Sequence, residues 1–458
     1  MKINRKHIYV LDIETEGSKG TLDGALDRVN NKIIDIGLRN MNTNENSSYS
    51  SENHIKVLNT IKNNNLKIIC HNGSFDLTNI YFKYGIDLSD NIYIDTIVLA
   101  RILYSDLESI SLEELSVQFL NVSPWKRGAK KTGNTDYLYA DLIHTGNLAK
   151  RMTKELSDQN RKIFIWLMYV YKEFIKIQYN GVPIDREHLI KTIEMYFKHD
   201  SDLMNLLNKV TSNNKKINWN SSKQLSKFIY EDHGIPVRRR TKKGAPQTSA
   251  DALNEIIMSG DDIPMKELLN ISLPKGQEDI GICRVLLEYK AITKSKQMLL
   301  DWQAREFNSR LYPYINIVGA RTGRTSSSEP NIQQVPRMKI LRNCFNSVEK
   351  NKLFGEFDYS QIELRVAAFI TRDETMLDAY KNEIDLHSLT QKSIFTDYKP
   401  KDKEQRAAAK QVNFGFLYGR EAEGFYNQMI DSGLKMTLED AKEWQANFFN
   451  RYQSLTEY

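Results

Sequence analysis

Between Lys352 and Arg365 the chain reads KLFGEFDYSQIELR, and no other stretch restricts the fold as much. Leu353, Phe354 and Phe357 form a short apolar run that predicts a strand, with Asp358 at its end. Ile362, Val366, Phe369 and Ile370 then recur at helical spacing, so the strand hands over to a helix, as in a mixed α/β fold. Glu363 lies in the first turns of that helix. A carboxylate at a strand end suits a hard cation such as Mg²⁺, which takes oxygen ligands and keeps waters for a phosphate substrate. An aspartate that merely caps the helix N-terminus satisfies the same spacing.

With 458 residues the chain is long enough for about three domains with cores of their own. A charged fraction of 27% and an apolar fraction of 40% describe a folded globular protein, not a disordered one. The net charge of +6 is compatible with a polyanionic partner without requiring one. Cys70, Cys283 and Cys344 are isolated and share no metal-ligand spacing, which predicts reduced thiols and a cytoplasmic protein. The opening MKINRKHIYVLDIE runs into a strand-like segment without a secretory signal. The most apolar run, Ile163 to Tyr171, is far shorter than the roughly 20 residues of a membrane span and predicts a buried helix. The Asn-, Lys- and Ser-rich patch from Asn42 to Asn53 predicts a surface loop.

Carboxylates recur near the N-terminus. HIYVLDI (His7 to Ile13) is a β-branched, aromatic strand, and Asp12 and Glu14, two apart, share one of its faces. Paired carboxylates repel unless a cation separates them, although a solvated edge carries the same pair. In IICHNGSFDL an apolar strand breaks at His71-Asn72-Gly73 and Asp76 follows on the next helical turn. In Tyr137-Leu-Tyr-Ala-Asp141, Tyr137 and Asp141 share a helix face. The nearby basic loop Trp125 to Lys131 is either solvated or a guide for single-stranded nucleic acid, combining charge with an aromatic platform.

From Asn160 to Gln178 apolar residues predict a long helix that stops at Asn180-Gly181. Ser221 and Ser222 suit helix caps. Arg238, Arg239 and Arg240 with Lys242 and Lys243 form the densest basic cluster, a solvated face or a set of phosphate contacts. In RAAAKQVNFGFLYG, Arg406, Lys410, Phe414 and Tyr418 stand four apart and form one stripe down a helix. Two cations in line with two aromatics suit a nucleotide, with charge on the phosphates and a ring against sugar and base. An ordinary amphipathic surface helix is the plainer reading.

These segments occur in the order of a known family. DYSQIELR resembles the metal-binding palm motif of A-family DNA polymerases, of the bacterial polymerase I-like, phage type. ARTGRTSSSEPNIQQVPR resembles the family's T-G-R-L-S-S-x-x-P-N-L-Q-N-I-P segment, with Thr325 for Leu and Gln334 for Asn. Asp385-Leu-His387 resembles its D-x-H, and R-x-x-x-K-x-x-x-F-G-x-x-Y-G its O helix. D-x-E, N-x-x-x-D and Y-x-x-x-D in this order resemble the motifs of DEDDy 3′–5′ proofreading exonucleases. GVPIDREHL, INWNSSKQLSKF and TKKGAPQTSADAL resemble the thumb, so the likeness covers essentially the whole chain.

The resemblance implies an RNase H-like exonuclease domain at 1–154 and a helical thumb with the start of the palm at 155–320. The palm with its first metal motif follows at 321–384, and incomplete fingers at 385–458. By the same resemblance Asp12, Glu14, Asp76 and Asp141 hold two Mg²⁺ or Mn²⁺ ions, with Tyr137 orienting the attacking water. Asp158 is the rival for the last ligand, but Lys154 rather than a tyrosine precedes it by four. Asp358 binds metal for synthesis. Glu363, His387, Arg406, Lys410, Phe414 and Tyr418 take the incoming dNTP. Arg324 and Gln334 meet the primer terminus, where a minor-groove arginine tests pair shape rather than identity. Arg238, Arg239, Arg240, Lys242 and Lys243 hold duplex.

The implied partners are primer-template, single-stranded 3′ ends and dNTPs, in a host cytoplasm if phage-encoded, with no membrane. The family's third palm motif is an apolar strand bearing His-Asp-Glu, and none follows Gly419. The expectation is therefore an N-terminal portion, split, truncated or interrupted, with a second polypeptide completing the palm. A stand-alone exonuclease and an inactive DNA-binding remnant are the alternatives.

Overall fold

The computed structural model describes residues 8–16, 28–125, 135–210, 217–269, 280–347, 349, 351–431 and 436–457. It separates into two compact units, one of residues 1–193 and 298–354 and the other of 194–297 and 355–458.

The first unit is built on a five-stranded sheet. Its strands are β1 (Ile8–Glu16), β2 (Lys32–Asn40), β3 (Asn46–Ser50), β4 (Lys67–Cys70) and β5 (Ile92–Asp95), in the order β3-β2-β1-β4-β5. β1 pairs antiparallel with β2 and parallel with β4, and β4 is parallel to β5. The inner strands are dense in buried β-branched side chains, among them Ile8, Val10, Ile13, Ile68, Ile69, Ile92 and Ile94. The helices Gly73–Tyr84, Thr135–Glu155 and Asp158–Asn180 join this core through Leu77, Ile80, Leu138, Leu142, Leu148, Phe164 and Ile175.

Gly37 sets how close the Thr135–Glu155 helix comes. It lies opposite Asp12 in the β1–β2 ladder, and a Cβ there would stand 2.8 Å from Leu138 Cδ1 and 2.9 Å from Leu142 Cδ1. The missing side chain lets the helix carrying Tyr137 and Asp141 settle on the strand pair that carries Asp12.

Two readings of this region need correction. The Asn42–Asn53 patch is not all loop, because Asn46–Ser50 is the edge strand β3. Its Ser and Asn side chains suit an edge that faces water on its free side, and that composition hid the strand. The Ile163–Tyr171 run is helical but buried on one face only. Phe164, Met168 and Tyr171 are buried, whereas Trp166 is 62% and Tyr169 67% exposed.

In the second unit Leu203, Leu207, Trp219, Leu225, Phe228, Leu253, Ile256, Leu286 and Tyr289 form one core. Ser221 caps the helix Ser222–Ser226 by accepting from the Gln224 backbone N–H. A second core gathers helices Ile362–Thr371, Glu374–Lys381, Leu386–Ile394, Lys403–Leu417, Ala422–Asp431 and Leu438–Arg451 around Phe416, Phe425, Trp444, Phe448 and Tyr452.

The predicted strand before Asp358 does not form. Residues 352–359 carry no regular structure, and Leu353 and Phe357 are 96% and 97% exposed. A strand exists through its ladder, and among the described residues nothing pairs with this one. The helix that follows, Ile362–Thr371, forms as its periodicity predicts, but Ile362, Val366, Phe369 and Ile370 are all exposed.

Candidate functional site

In the first unit the carboxylates are delivered by three elements. β1 carries Asp12 and Glu14, both half-buried. The β4 strand ends in a turn in which Asn72 adopts a left-handed conformation (φ 65°), tolerable for Asn, before the Gly73–Tyr84 helix starts. That turn aims Asp76 back at β1, where its Oδ1 accepts the Ile13 N–H at 3.1 Å. Burial pushes the Asp76 carboxyl up to about 8, against the Ile13 hydrogen bond and with the charges of Asp95 and Glu14 adding to it. Burial also raises the Cys70 thiol, with the charges of Asp76, Asp95 and Asp12 adding to it.

Asp95, at the end of β5, was not among the residues singled out from the sequence. It accepts the Asn72 and Gly73 backbone N–H groups at 3.0 and 2.7 Å and the Tyr171 hydroxyl at 2.9 Å. It also caps its own helix, accepting from Ile97. Asp95 therefore fixes the turn that presents Asp76. Tyr314 locks the same turn by donating to Asn72 Oδ1. In sequence Asp95 looks like any aspartate between a strand and a helix.

Tyr137 and Asp141 lie on one helix, with Asp141 buried. Asp141 Oδ1 accepts from Trp125 Nε1 at 2.7 Å, and the Trp125 ring lies 4.2 Å from that of His144. Trp125 is thus held against Asp141. The rest of the basic loop, 126–131, lies outside the described residues. Asp158 is exposed at the start of its helix. The oxygen donors suit a hard divalent cation, yet among the described residues no three His, Cys, Asp or Glu side chains are gathered closely enough to hold one.

In the second unit the Lys403–Leu417 helix displays its stripe as the spacing predicts. Arg406, Lys410 and the C-capping Tyr418 are exposed and Phe414 is half-buried, while Ala409, Val412 and Phe416 face the core. Lys410 Nζ lies 5.9 Å from the Phe414 ring centre, and the His387 ring is 5.9 Å from the same ring. Arg406 donates to Asp385 Oδ2 from Nε at 3.1 Å and Nη2 at 3.0 Å. Burial works to raise the Asp385 carboxyl, but hydrogen bonds from Ser388 and Arg406 and the Arg406 charge hold it below its ordinary value. Gln361 of DYSQIELR donates to the same carboxylate and accepts from Tyr380 at 3.1 Å. Asp385 therefore joins the Asp358 motif to the stripe, a link that sequence spacing does not reveal. Asp358 is exposed and Glu363 half-buried.

Arg324 and Gln334 are exposed in the first unit. In the basic cluster Arg238 pairs with Asp261, Arg239 with Glu255 at 2.6 Å, and Arg240 donates to the Gly244 carbonyl at 2.9 Å. Lys242 and Lys243 are exposed. The arginines are thus partly neutralised within the fold.

DNA polymerase family A matches residues 189–458, more than half of the chain. The chain belongs to DNA polymerase family A. Among its relatives, DNA polymerase I of Caldicellulosiruptor bescii is 28% identical over 435 residues, covering 90% of this chain and 45% of that protein. DNA polymerase I of Aquifex aeolicus is 27% identical over 497 residues, covering 99% and 76%. The DNA polymerase of Bacillus phage SP01 is 23% identical over 478 residues, covering 87% and 49%. The chain thus spans about half the length of the first and third of these relatives. The POL domain of Pol1 from M. smegmatis, solved with DNA primer-template and dNTP, superposes with a TM-score of 0.73 at 20% identity. That likeness covers 98% of this chain and 74% of the other and establishes a mixed α/β polymerase fold. No helix among the described residues is long and apolar enough to cross a membrane.

Proposed function

We propose that this family A chain carries the nucleotide-binding side of template-directed DNA synthesis together with a 3′–5′ proofreading exonuclease. The observation that carries the reading is the Lys403–Leu417 helix, whose two cations and two aromatics share one outward stripe anchored to Asp385. Arg406 and Lys410 hold the triphosphate, Phe414 and Tyr418 lie against sugar and base, and Arg324 and Gln334 contact the primer end. Asp358 is the ligand for Mg²⁺, which would lower the charge cost of phosphoryl transfer.

In the first unit Asp12, Glu14, Asp76 and Asp141 offer oxygen ligands to divalent ions, which would have to draw them closer than they lie here, and Tyr137 would orient the hydrolytic water. The mixed sheet with β1 at its centre supports an RNase H-like reading of this domain, with partners in single-stranded 3′ ends and primer-template. Arg238, Arg239, Arg240, Lys242 and Lys243 contribute charge to duplex binding from the thumb.

The irregular, exposed 352–359 segment favours a narrower reading of residues 1–458 by themselves: digestion without synthesis. A strand at Asp358 would need a ladder partner that the described residues do not supply. The nucleotide assignment is tested by titrating a fluorescent dNTP onto the protein bound to primer-template. Lys410→Ala should weaken binding about tenfold or more, as expected for a lost charge-assisted phosphate contact. Equal affinities for Lys410→Ala and wild type would reject the stripe as the nucleotide site.

A further inference from the structure

His387 reaches the nucleotide stripe through Phe414, and what lies behind it is a chain of buried polar groups from three helices. His387 Nδ1 is 2.8 Å from Asn413 Nδ2 on the Lys403–Leu417 helix. Asn413 Oδ1 accepts from Thr390 Oγ1 at 2.7 Å, and Thr390 Oγ1 is 2.9 Å from the Tyr452 hydroxyl. Asn413, Thr390 and Tyr452 are almost fully buried in an apolar core. Such a run of groups is costly to bury unless each is satisfied, so its directions are constrained.

The direction follows from the middle of the chain. Asn413 presents its carbonyl oxygen to the Thr390 hydroxyl, and an amide oxygen only accepts, so Thr390 is the donor and the Asn413 amide N–H₂ faces His387. With its one proton given to Asn413, the Thr390 oxygen is left to accept from the Tyr452 hydroxyl. An N–H donor at Nδ1 requires that nitrogen to be unprotonated, so the imidazole carries its proton on Nε2. The reverse order would leave the Tyr452 proton without a bonded acceptor among these groups.

We propose that Tyr452, Thr390 and Asn413 are positioning residues that fix His387 as the Nε2–H tautomer, so that it donates a hydrogen bond to a phosphate of the incoming nucleotide. The phosphate half of this assignment rests on the nucleotide reading of the stripe; the tautomer half rests on the relay alone. Burial holds the imidazole down to about 4, with the Asp385 charge opposing and the Arg406 and Lys410 charges assisting, so the donor remains uncharged at neutral pH. A neutral donor beside Arg406 and Lys410 avoids adding a third positive charge when no nucleotide is bound.

The test is long-range ¹H–¹⁵N NMR of residues 1–458 labelled at histidine, paired with dNTP titration. Wild type should show a His387 ring protonated at Nε2 only, between about pH 5 and pH 8. Thr390→Val should mix the tautomers and weaken dNTP binding about tenfold, while Thr390→Ser restores both. Asn413→Asp, which places a carboxylate on Nδ1, should make His387 titrate above 6.5, its ordinary value. An Nδ1–H tautomer in the wild type overturns the proposal without recourse to any variant. Unchanged tautomer and affinity in Thr390→Val overturn it too. If the tautomers respond as expected but His387→Ala and Lys410→Ala both bind dNTP like wild type, the phosphate contact and the nucleotide reading fall together, and only the relay stands.

Discussion

Asp95 shows how much of a site rests on a residue outside it. Its carboxylate accepts from Asn72, Gly73, Ile97 and Tyr171, and removing it strands several buried donors at once. Each such donor costs about 1–3 kcal/mol, so Asp95→Ala should lower stability by about 3 kcal/mol or more in urea titration. Asp95→Asn keeps one acceptor oxygen and should cost clearly less; equal costs would show that the acceptor is not what matters. His387 gives a second expectation at this scale. Its imidazole is held down to about 4, below its ordinary 6.5, so the unfolded chain binds a proton that the folded one refuses. Stability should therefore fall as pH drops from 6.5 toward 4, and His387→Gln should flatten that part of the profile. At Phe414 the family resemblance implies that a tyrosine would supply the hydroxyl missing from a dideoxynucleotide. In a primer-extension assay Phe414→Tyr should greatly ease dideoxynucleotide incorporation, and an unchanged termination ratio would contradict the assignment. The stripe that includes Phe414 was legible because its spacing is the helix period. Asp95, Gln361 and Asn413 were not, because their roles depend on partners 19 or more residues away.

Among the elements, those that bury one periodic face were readable, and those that depend on a neighbour were not. The Thr135–Glu155 helix announces itself by spacing, and Asp158–Asn180 by spacing and by its stop at Gly181, φ 64°. The edge strand β3 lacks an apolar face to announce it, and the run before Asp358 has strand composition with no ladder among the described residues. Amides of 352–359 should therefore exchange with deuterium at nearly unprotected rates in residues 1–458. They should gain protection when a polypeptide with an apolar His-Asp-Glu strand is added; no change would argue against such pairing. Gly37 tests the docking of the Thr135–Glu155 helix. Valine there must displace Leu138 and Leu142, an overpacking worth about 1–3 kcal/mol, and should move Asp141 away from β1. Exonuclease activity should then fall further than stability alone explains, whereas wild-type digestion rates would show that this helix does not position the site.

For the whole molecule, membership of family A and the mixed α/β fold were recoverable from motifs in order, since each motif carries its own chemistry along the chain. The division into two compact units was not, because each joins segments far apart in sequence: 1–193 with 298–354, and 194–297 with 355–458. The first unit carries Asp12, Glu14, Asp76 and Asp141, while the second displays the stripe of Arg406, Lys410, Phe414 and Tyr418 and an Asp358 segment with no ladder among the described residues. Digestion and synthesis by residues 1–458 can therefore be read apart on a single gel. Residues 1–458 are incubated with 5′-labelled primer-template, Mg²⁺ and four dNTPs. The predicted result is a ladder of shortened primers and none longer, with Asp12→Ala/Glu14→Ala reducing the shortening by orders of magnitude. Primers left intact by the wild type, or extended in that double mutant and no longer extended when Asp358→Ala is added, would contradict it.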